Sequence, residues 1–163
     1  MRTIAWFAPA LLLVGAACSA APVGRACDLP KNASVGEATL AFEPAYPCWL
    51  PAGYAVNTVA LEPPDPGGLS HGLTLTLRDR GRPILILTQR DHDPGYLAVN
   101  LGTTGRAVDI DGVEGRLYEG DSGAGQYLYE LRWRSGGRFY QLHAVKGPGV
   151  DEGAVLRLAR SLP

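Results

Sequence analysis

One short stretch carries the densest group of metal-binding side chains in the sequence. The run from Asp91 to Gly95 reads Asp-His-Asp-Pro-Gly, and carboxylates and imidazoles are common ligands of divalent cations. Three adjacent residues do not all converge on one ion, and the other histidines, His71 and His143, belong to distant segments. The sequence therefore predicts a solvated turn here and no metal site.

A second motif concerns nucleophilic catalysis. The tetrapeptide Gly-Asp-Ser-Gly at 120–123 matches the surroundings of the nucleophilic serine in chymotrypsin-like proteases, and His71 and His92 precede Ser122 in the order of that triad. Those proteases are built on two β-barrels and need a longer chain than these 163 residues. Because Gly, Asp and Ser also favour a flexible turn, we expect no catalytic residue and no enzymatic activity.

Three cysteines make an odd set, Cys18, Cys27 and Cys48. Once Cys18 is cleaved off or modified, two thiols remain, and in an oxidising compartment such a pair forms a structural disulfide. Neither a Cys-x-x-Cys motif nor clustered histidines favour the alternative of a redox or metal pair. A bond from Cys27 to Cys48 closes a loop of about 20 residues and contributes about 3 kcal/mol through the lost entropy of the unfolded chain.

The amino terminus has the pattern of a secretory signal. Arg2 precedes an apolar run from Ile4 to Val14, and small residues then lead to Cys18. The run is too short to span a membrane, and small residues before a cysteine resemble the bacterial lipobox, in which the cysteine receives a diacylglycerol. We predict a signal peptide over residues 1–17, lipidation of Cys18, and a tether with the disulfide-linked segment over 18–36. The alternative is an ordinary signal-peptidase cut that yields a secreted or soluble periplasmic protein.

The overall composition limits the classes of function. The chain has 15 Lys+Arg against 16 Asp+Glu, and the net charge of -1 offers no attraction to nucleic acid. Hydrophobic residues make up 46% and charged residues 19%, as in an ordinary globular domain. The 21 Gly and 13 Pro call for many turns and disfavour a helical bundle. We expect a single domain over residues 37–163.

Short segments with alternating apolar and polar positions fill most of this domain. Leu73, Leu75 and Leu77 fall on one face of a strand, whereas the run from Ile84 to Leu87 is continuously apolar, as in a central strand. Asp-Gly at 111–112 marks a tight hairpin. The predicted strands cover residues 37–42, 54–61, 72–78, 84–90, 106–110, 113–118, 126–134 and 138–145.

The helical period occurs only at the carboxyl-terminal end. Val155, Leu158, Ala159 and Leu162 are spaced i, i+3, i+4 and i+7, with acidic residues before them and arginines towards the end, which suits the helix dipole. The sequence thus predicts an α+β fold. It consists of an antiparallel meander sheet of about six to eight strands with one carboxyl-terminal helix packed on it.

Two neighbouring predicted strands carry a group of aromatic side chains. Tyr127, Tyr129, Trp133 and Tyr140 are able to floor a groove for a lipid or a glycan, and we select them as a candidate ligand groove. The alternative is that the same rings form the core between sheet and helix.

Several turn and core motifs follow one another in an order that resembles a bacterial extracytoplasmic domain of unknown function. They are Leu-Pro-Ala-Gly-Tyr at 50–54, a hairpin centred on Gly81, Val108-x-Ile110-x-Gly112, Leu131-x-Trp133, Gly137-x-x-Tyr140-x-Leu142 and the helix end at 158–162. Members of that family typically sit in exported, lipid-anchored or membrane-anchored proteins, sometimes in anti-sigma-factor-like chains. The resemblance spans Leu50 to Pro163 and implies fold and compartment, with no catalytic residue carried over.

Together these patterns predict an extracytoplasmic domain, lipid-anchored to a bacterial membrane, that binds or senses a partner without catalysis. The expected partners are the membrane, through the anchor at Cys18, and an envelope protein or a hydrophobic ligand. Neither nucleic acid nor a cofactor is expected. The alternative function is a periplasmic carrier of a lipid or glycolipid on a concave sheet.

Overall fold

The computed structural model describes Cys27 and residues 39–78, 84–94 and 104–163. The predicted signal peptide, Cys18 and the tether apart from Cys27 lie outside the described residues. The described elements are β1 Thr39–Leu40, β2 Ala55–Leu61, β3 Leu69–Ser70, β4 Gly72–Arg78, β5 Leu85–Arg90, β6 Arg106–Ile110, β7 Val113–Asp121, β8 Tyr127–Ser135, β9 Arg138–Val145 and α1 Glu152–Arg160.

Seven of these strands form one antiparallel sheet in the order β2-β4-β5-β9-β8-β7-β6. Hairpins join β6 to β9 in sequence, and the pairing of β5 with β9 connects this meander to the earlier strands. At the first hairpin Asp111 and Gly112 have φ of 50° and 86°, as a two-residue turn of type I′ requires. The predicted α+β fold, a meander sheet with one terminal helix, is confirmed.

The observed strands follow the predicted ranges closely, with two differences at β7 and β1. β7 extends to Asp121, so it includes the first two residues of the Gly-Asp-Ser-Gly tetrapeptide. β1 covers only Thr39–Leu40 within the described residues and pairs in parallel with β3, for which the sequence predicts no strand. A two-residue strand depends on a distant partner and leaves no periodic signal of its own.

One side of the sheet, the core face, carries leucines in register across five strands. Leu75, Leu87, Leu142, Leu131 and Leu117 lie side by side on β4, β5, β9, β8 and β7. All five are buried. Burial of a leucine side chain stabilises a fold by about 1.5–3 kcal/mol, so this row is a major source of stability.

α1 covers the part of the core face formed by β6, β8 and β9. Its buried residues are Val155, Leu158 and Ala159, three of the four residues in the predicted helical stripe. The helix begins after Asp151, whose Oδ1 accepts a hydrogen bond of 2.8 Å from the Ala154 N–H. This N-cap satisfies one of the free amides at the helix start.

The segment 41–54 lies beside α1 and packs against the rest of the core face. Gln89 is buried on β5, where its Oε1 accepts from the Ala45 N–H at 2.9 Å and its Nε2 donates to the Ala45 carbonyl at 2.5 Å. The Cys48 N–H donates to the Ser161 carbonyl at 3.1 Å, just after α1. Helix and segment therefore cover the core face together.

Candidate functional site

The opposite side of the sheet, the outer face, consists of the alternate residues of the same strands. Cross-strand register places Ile86 beside His143 and His143 beside Glu130. The neighbouring row on the same face places Gln141 beside Arg132. Because α1 packs on the core face, no helix lies on the outer face within the described part of the chain.

An apolar recess of about 480 Å³ lies on the outer face between β5, β9 and β8. Its volume falls in the range of about 300–1,000 Å³ that is typical of small-molecule sites. These residues are not among the candidates from sequence, although the unbroken apolar run from Ile84 to Leu87 is the signal that could have found them. The apolar recess is lined by Ile84, Ile86, Thr88, Leu128, His143, Ala144 and Val145.

A buried carboxylate lies directly across the strand pair from His143, which is one of the residues that line the apolar recess. Glu130 is 1% exposed, and its Oε1 accepts from the Arg132 guanidinium at 2.5 Å and from the Gln141 amide at 2.7 Å. Its Oε2 is buried and has no hydrogen-bond partner within the described ranges. A buried polar atom without a partner is costly, so this oxygen needs a donor, and Arg90 Nη1 on the same face is likewise buried without a partner among the described residues.

His143 supplies a polar group inside the otherwise apolar lining. Burial lowers the pKa of its imidazole from the ordinary 6.5, the nearby Arg132 adds to this, and the charge of Glu130 acts in the opposite direction. The ring is therefore neutral at pH 7, with one nitrogen that donates and one that accepts.

A second recess of about 370 Å³ lies beside the apolar one, around the charged end of the outer face. The Arg132 guanidinium crosses the Tyr118 ring at 4.8 Å from its centroid, a cation–π contact that holds both groups in place. The remaining lining is mixed in charge, and includes Asp93, Glu114, Arg116, Trp133, Arg134 and Phe139. This mixture suits a polar uncharged group better than a single ion.

The four aromatic residues selected from sequence lie in two environments. Tyr129, Trp133 and Tyr140 are buried in the core, where the Trp133 and Tyr140 rings stack at 5.0 Å between centroids. Tyr127 is 41% exposed near the end of β8, and its hydroxyl donates to Glu119 Oε2 at 3.3 Å. The core-packing alternative thus describes three of the four, although Trp133 also contributes to the second recess and, with Tyr140, to a small recess of about 100 Å³ beside the end of α1. The apolar recess contains none of the four.

The structure joins Cys27 and Cys48 as a disulfide pair, with their Cα atoms 5.1 Å apart. This separation lies within the range of ordinary disulfides. The pairing agrees with the expectation from the cysteine count. Cys18, the predicted lipidation site, lies outside the described residues.

The turn after β5 requires a correction to the sequence analysis. The sequence predicts that His71 lies far from Asp91, but β4 and β5 pair with Gly72 opposite Arg90, and His71 therefore lies next to Asp91. Asp91 Oδ2 is 2.6 Å from His71 Nδ1, and Asp91 Oδ1 is 2.7 Å from His92 Nδ1. The prediction of a plain solvated turn overlooked this cluster, because it considered neighbours in sequence only.

The protease-like tetrapeptide forms a hairpin turn. The Asp121 carboxylate accepts from the Gly123 N–H at 2.8 Å, and the Ser122 N–H donates to the Gln126 carbonyl at 2.9 Å. Ser122 Oγ accepts from the Ala124 N–H at 3.3 Å. These are the local contacts that Asp and Ser make in turns.

Comparisons with protein-family models, with curated proteins and with solved structures find no match. In the described ranges, no helix is both long enough and apolar enough to cross a membrane.

Proposed function

We propose that this protein is a non-catalytic binding domain of the bacterial cell envelope whose outer face holds a lipid. The apolar recess takes the hydrocarbon chain, and the head group donates a hydrogen bond to Glu130 Oε2. One observation carries the proposal: a recess of about 480 Å³ with mostly apolar walls is lined by His143, whose cross-strand partner Glu130 has a buried carboxylate oxygen without a partner among the described residues.

The hydrogen-bonding groups next to the apolar recess determine which lipid head group fits. Glu130 Oε2 accepts and does not donate, so a hydroxyl or an amine suits it and a phosphate or carboxylate at that point does not. The neutral His143 and the mixed charges of the second recess add donors and acceptors for further hydroxyls. A glycolipid combines these features, which supports the lipid-binding alternative from sequence.

The predicted location at a membrane surface supports this function. A signal peptide over residues 1–17 and a lipidated Cys18 would hold the domain at a membrane surface, where lipid ligands are concentrated. The resemblance to an extracytoplasmic domain family agrees with the same compartment. Replacement of Cys18 by Ser is then expected to move the protein from the membrane to the soluble fraction. Unchanged fractionation, with a mature amino terminus at another residue, would support simple secretion.

Lipid binding is tested by displacement of a fluorescent fatty-acyl probe from the purified protein, followed by mass spectrometry of co-purified lipids. Ile86→Asp places a carboxylate inside the recess and is expected to weaken binding by about tenfold or more, since a charge is poorly solvated there. Thr58→Asp is the matched control, because Thr58 is exposed in the same cross-strand row on edge strand β2. Equal affinity of both variants and the wild type would contradict the proposal.

The role of the carboxylate is tested separately with Glu130→Gln. The amide keeps an acceptor for Arg132 and Gln141 but presents a donor in place of Oε2. We expect the preference for a glycolipid over a plain fatty acid of equal chain length to fall, while the affinity for the plain chain stays the same. An unchanged preference would remove Glu130 from head-group recognition.

A further inference from the structure

A cluster of two imidazoles and two carboxylates lies away from the outer-face recess, where β3, β4 and β5 meet. The antiparallel pairing of β4 with β5 extends beyond its last strand pair, and the Asp91 N–H donates to the His71 carbonyl at 3.3 Å. Ladder geometry therefore fixes the backbone of both residues. His92 follows directly in the bend after β5, so the sheet positions the backbone of His71 and Asp91, and the chain places His92 beside them.

The side chains converge on one point. The Asp91 carboxylate lies between the two rings, with its oxygens 2.6 Å from His71 Nδ1 and 2.7 Å from His92 Nδ1. One ligand atom from each of the three residues lies within 4.8 Å of the others. The side chains of His71, Asp91 and His92 are 38%, 28% and 56% exposed, so an ion can reach them from solvent.

We propose that His71, Asp91 and His92 bind a divalent transition-metal ion, with Zn²⁺ as the best fit. Imidazole nitrogen and carboxylate oxygen are ordinary zinc ligands, and two histidines with one carboxylate leave a fourth position for water or another ligand. The hard cations Mg²⁺ and Ca²⁺ prefer sites made of oxygen alone. The ion replaces the hydrogen bonds that Asp91 now makes to both rings.

Asp65 supplies an independent feature of metal sites. Its Oδ2 lies 3.3 Å from Nε2 of His71, the ring nitrogen that faces away from Asp91. Asp65 is itself oriented by the Leu69 N–H, which donates to Oδ1 at 2.9 Å. A carboxylate on the second nitrogen of a ligating histidine fixes the ring and strengthens the ligand. We therefore assign Asp65 as a positioning residue of this site.

The test is titration calorimetry of the full chain, freed of metal with a chelator, with zinc chloride in a non-coordinating buffer. We expect one ion per chain, and weakening by about tenfold or more in His71→Ala and in His92→Ala. Asp65→Asn is expected to weaken zinc binding about tenfold, and magnesium is expected to give no binding. Circular dichroism checks that these variants, all at partly exposed positions, remain folded.

His143→Gln is the matched control, since His143 is the third histidine of the chain and lies in the outer-face recess. Its zinc affinity is expected to equal that of the wild type. The proposal is overturned if the wild type binds no zinc, or if zinc binding persists unchanged in His71→Ala and His92→Ala. Equal weakening in all three histidine variants would also overturn it, because it would indicate nonspecific binding. None of these outcomes depends on lipid binding.

Discussion

The two faces of the sheet are made by the same strands and yet bury different chemistry. On the core face a row of leucines needs no hydrogen bonds, buried Gln89 is fully paired with Ala45, and α1 and the segment 41–54 cover the face. On the outer face Thr88, Glu130 and Gln141 are also buried, and each makes side-chain hydrogen bonds. One carboxylate oxygen is left over. The segment that covers the core face also holds a buried oxygen without a described partner, the Tyr46 hydroxyl, but a carboxylate oxygen is the more costly of the two to bury unpaired.

The largest expected effect comes from uncovering the core face. Leu158 is fully buried on α1, so Leu158→Ala is expected to cost about 2–5 kcal/mol of unfolding free energy, measured by chemical denaturation. Leu158→Asp is expected to prevent stable folding, because it buries a charge without a partner. Ile86→Ala on the partly exposed outer face is the control, with a smaller loss. If Leu158→Ala melts within a degree of wild type, α1 does not cover the core.

Loss of the disulfide is expected to have the next largest effect on the unfolding free energy, because the bond links the segment 41–54, which covers part of the core face, to Cys27. Replacement of Cys27 and Cys48 by Ser is expected to lower the unfolding free energy by about 3 kcal/mol, the entropy of a loop of this length. The covalent bond itself is checked by alkylation and mass measurement of the native protein. Two alkylated thiols without prior reduction would contradict the pairing.

On the outer face we expect a smaller loss of unfolding free energy, caused by broken hydrogen bonds. Glu130→Ala removes the acceptor used by Arg132 and Gln141, and leaving buried donors without it costs about 1–3 kcal/mol. Glu130→Gln keeps an acceptor and is expected to lose less. Denaturation of both variants measures the difference. A change of less than about 0.5 kcal/mol in Glu130→Ala would show that this face behaves as ordinary solvated surface.

Most of the fold was predictable because its signals are local. Alternation at Leu73, Leu75 and Leu77, the Asp-Gly turn at 111–112 and the stripe around Leu158 each lie within one short segment. The sequence could not say which face of the sheet the helix would cover. That choice depends on the connection after β9 and on the segment 41–54, whose three prolines at 44, 47 and 51 give no periodic pattern.

The candidate sites were less predictable because they depend on strand register. Tyr129, Trp133 and Tyr140 gave a strong aromatic signal, but burial made them core. The contact of His71 with Asp91 was within reach, since the hairpin predicted from 72–78 and 84–90 places residue 72 opposite residue 90 and residue 71 next to residue 91. The pairing of Glu130 with His143 needs the register of a second strand pair. Long-range register is what the alternating pattern alone leaves open.

The smallest expected effect is a difference in pKa between two histidines. His143 lies on the outer face, and His71 lies at the sheet end, where β3, β4 and β5 meet. Burial lowers the pKa of His143 below the ordinary 6.5, with Arg132 in the same direction and Glu130 in the opposite one. Hydrogen bonds to Asp91 and then Asp65 raise the pKa of His71 above 6.5. Nuclear magnetic resonance of the imidazoles in the metal-free protein, with His71→Gln and His143→Gln to assign them, measures both values.

The two shifts have opposite consequences for stability. His143 binds a proton more readily in the unfolded chain than in the folded protein. Its contribution to the unfolding free energy is therefore present above pH 6.5 and falls as the pH drops through the folded pKa. The contribution of His71 is present below pH 6.5 and is lost as the pH rises through its raised pKa. His143→Gln should therefore flatten the loss of stability on the acid side, and His71→Gln should steepen it. Two histidines that titrate together near pH 6.5 would show that the outer face at His143 is as open to water as the sheet end, and the apolar recess would then be a solvated surface.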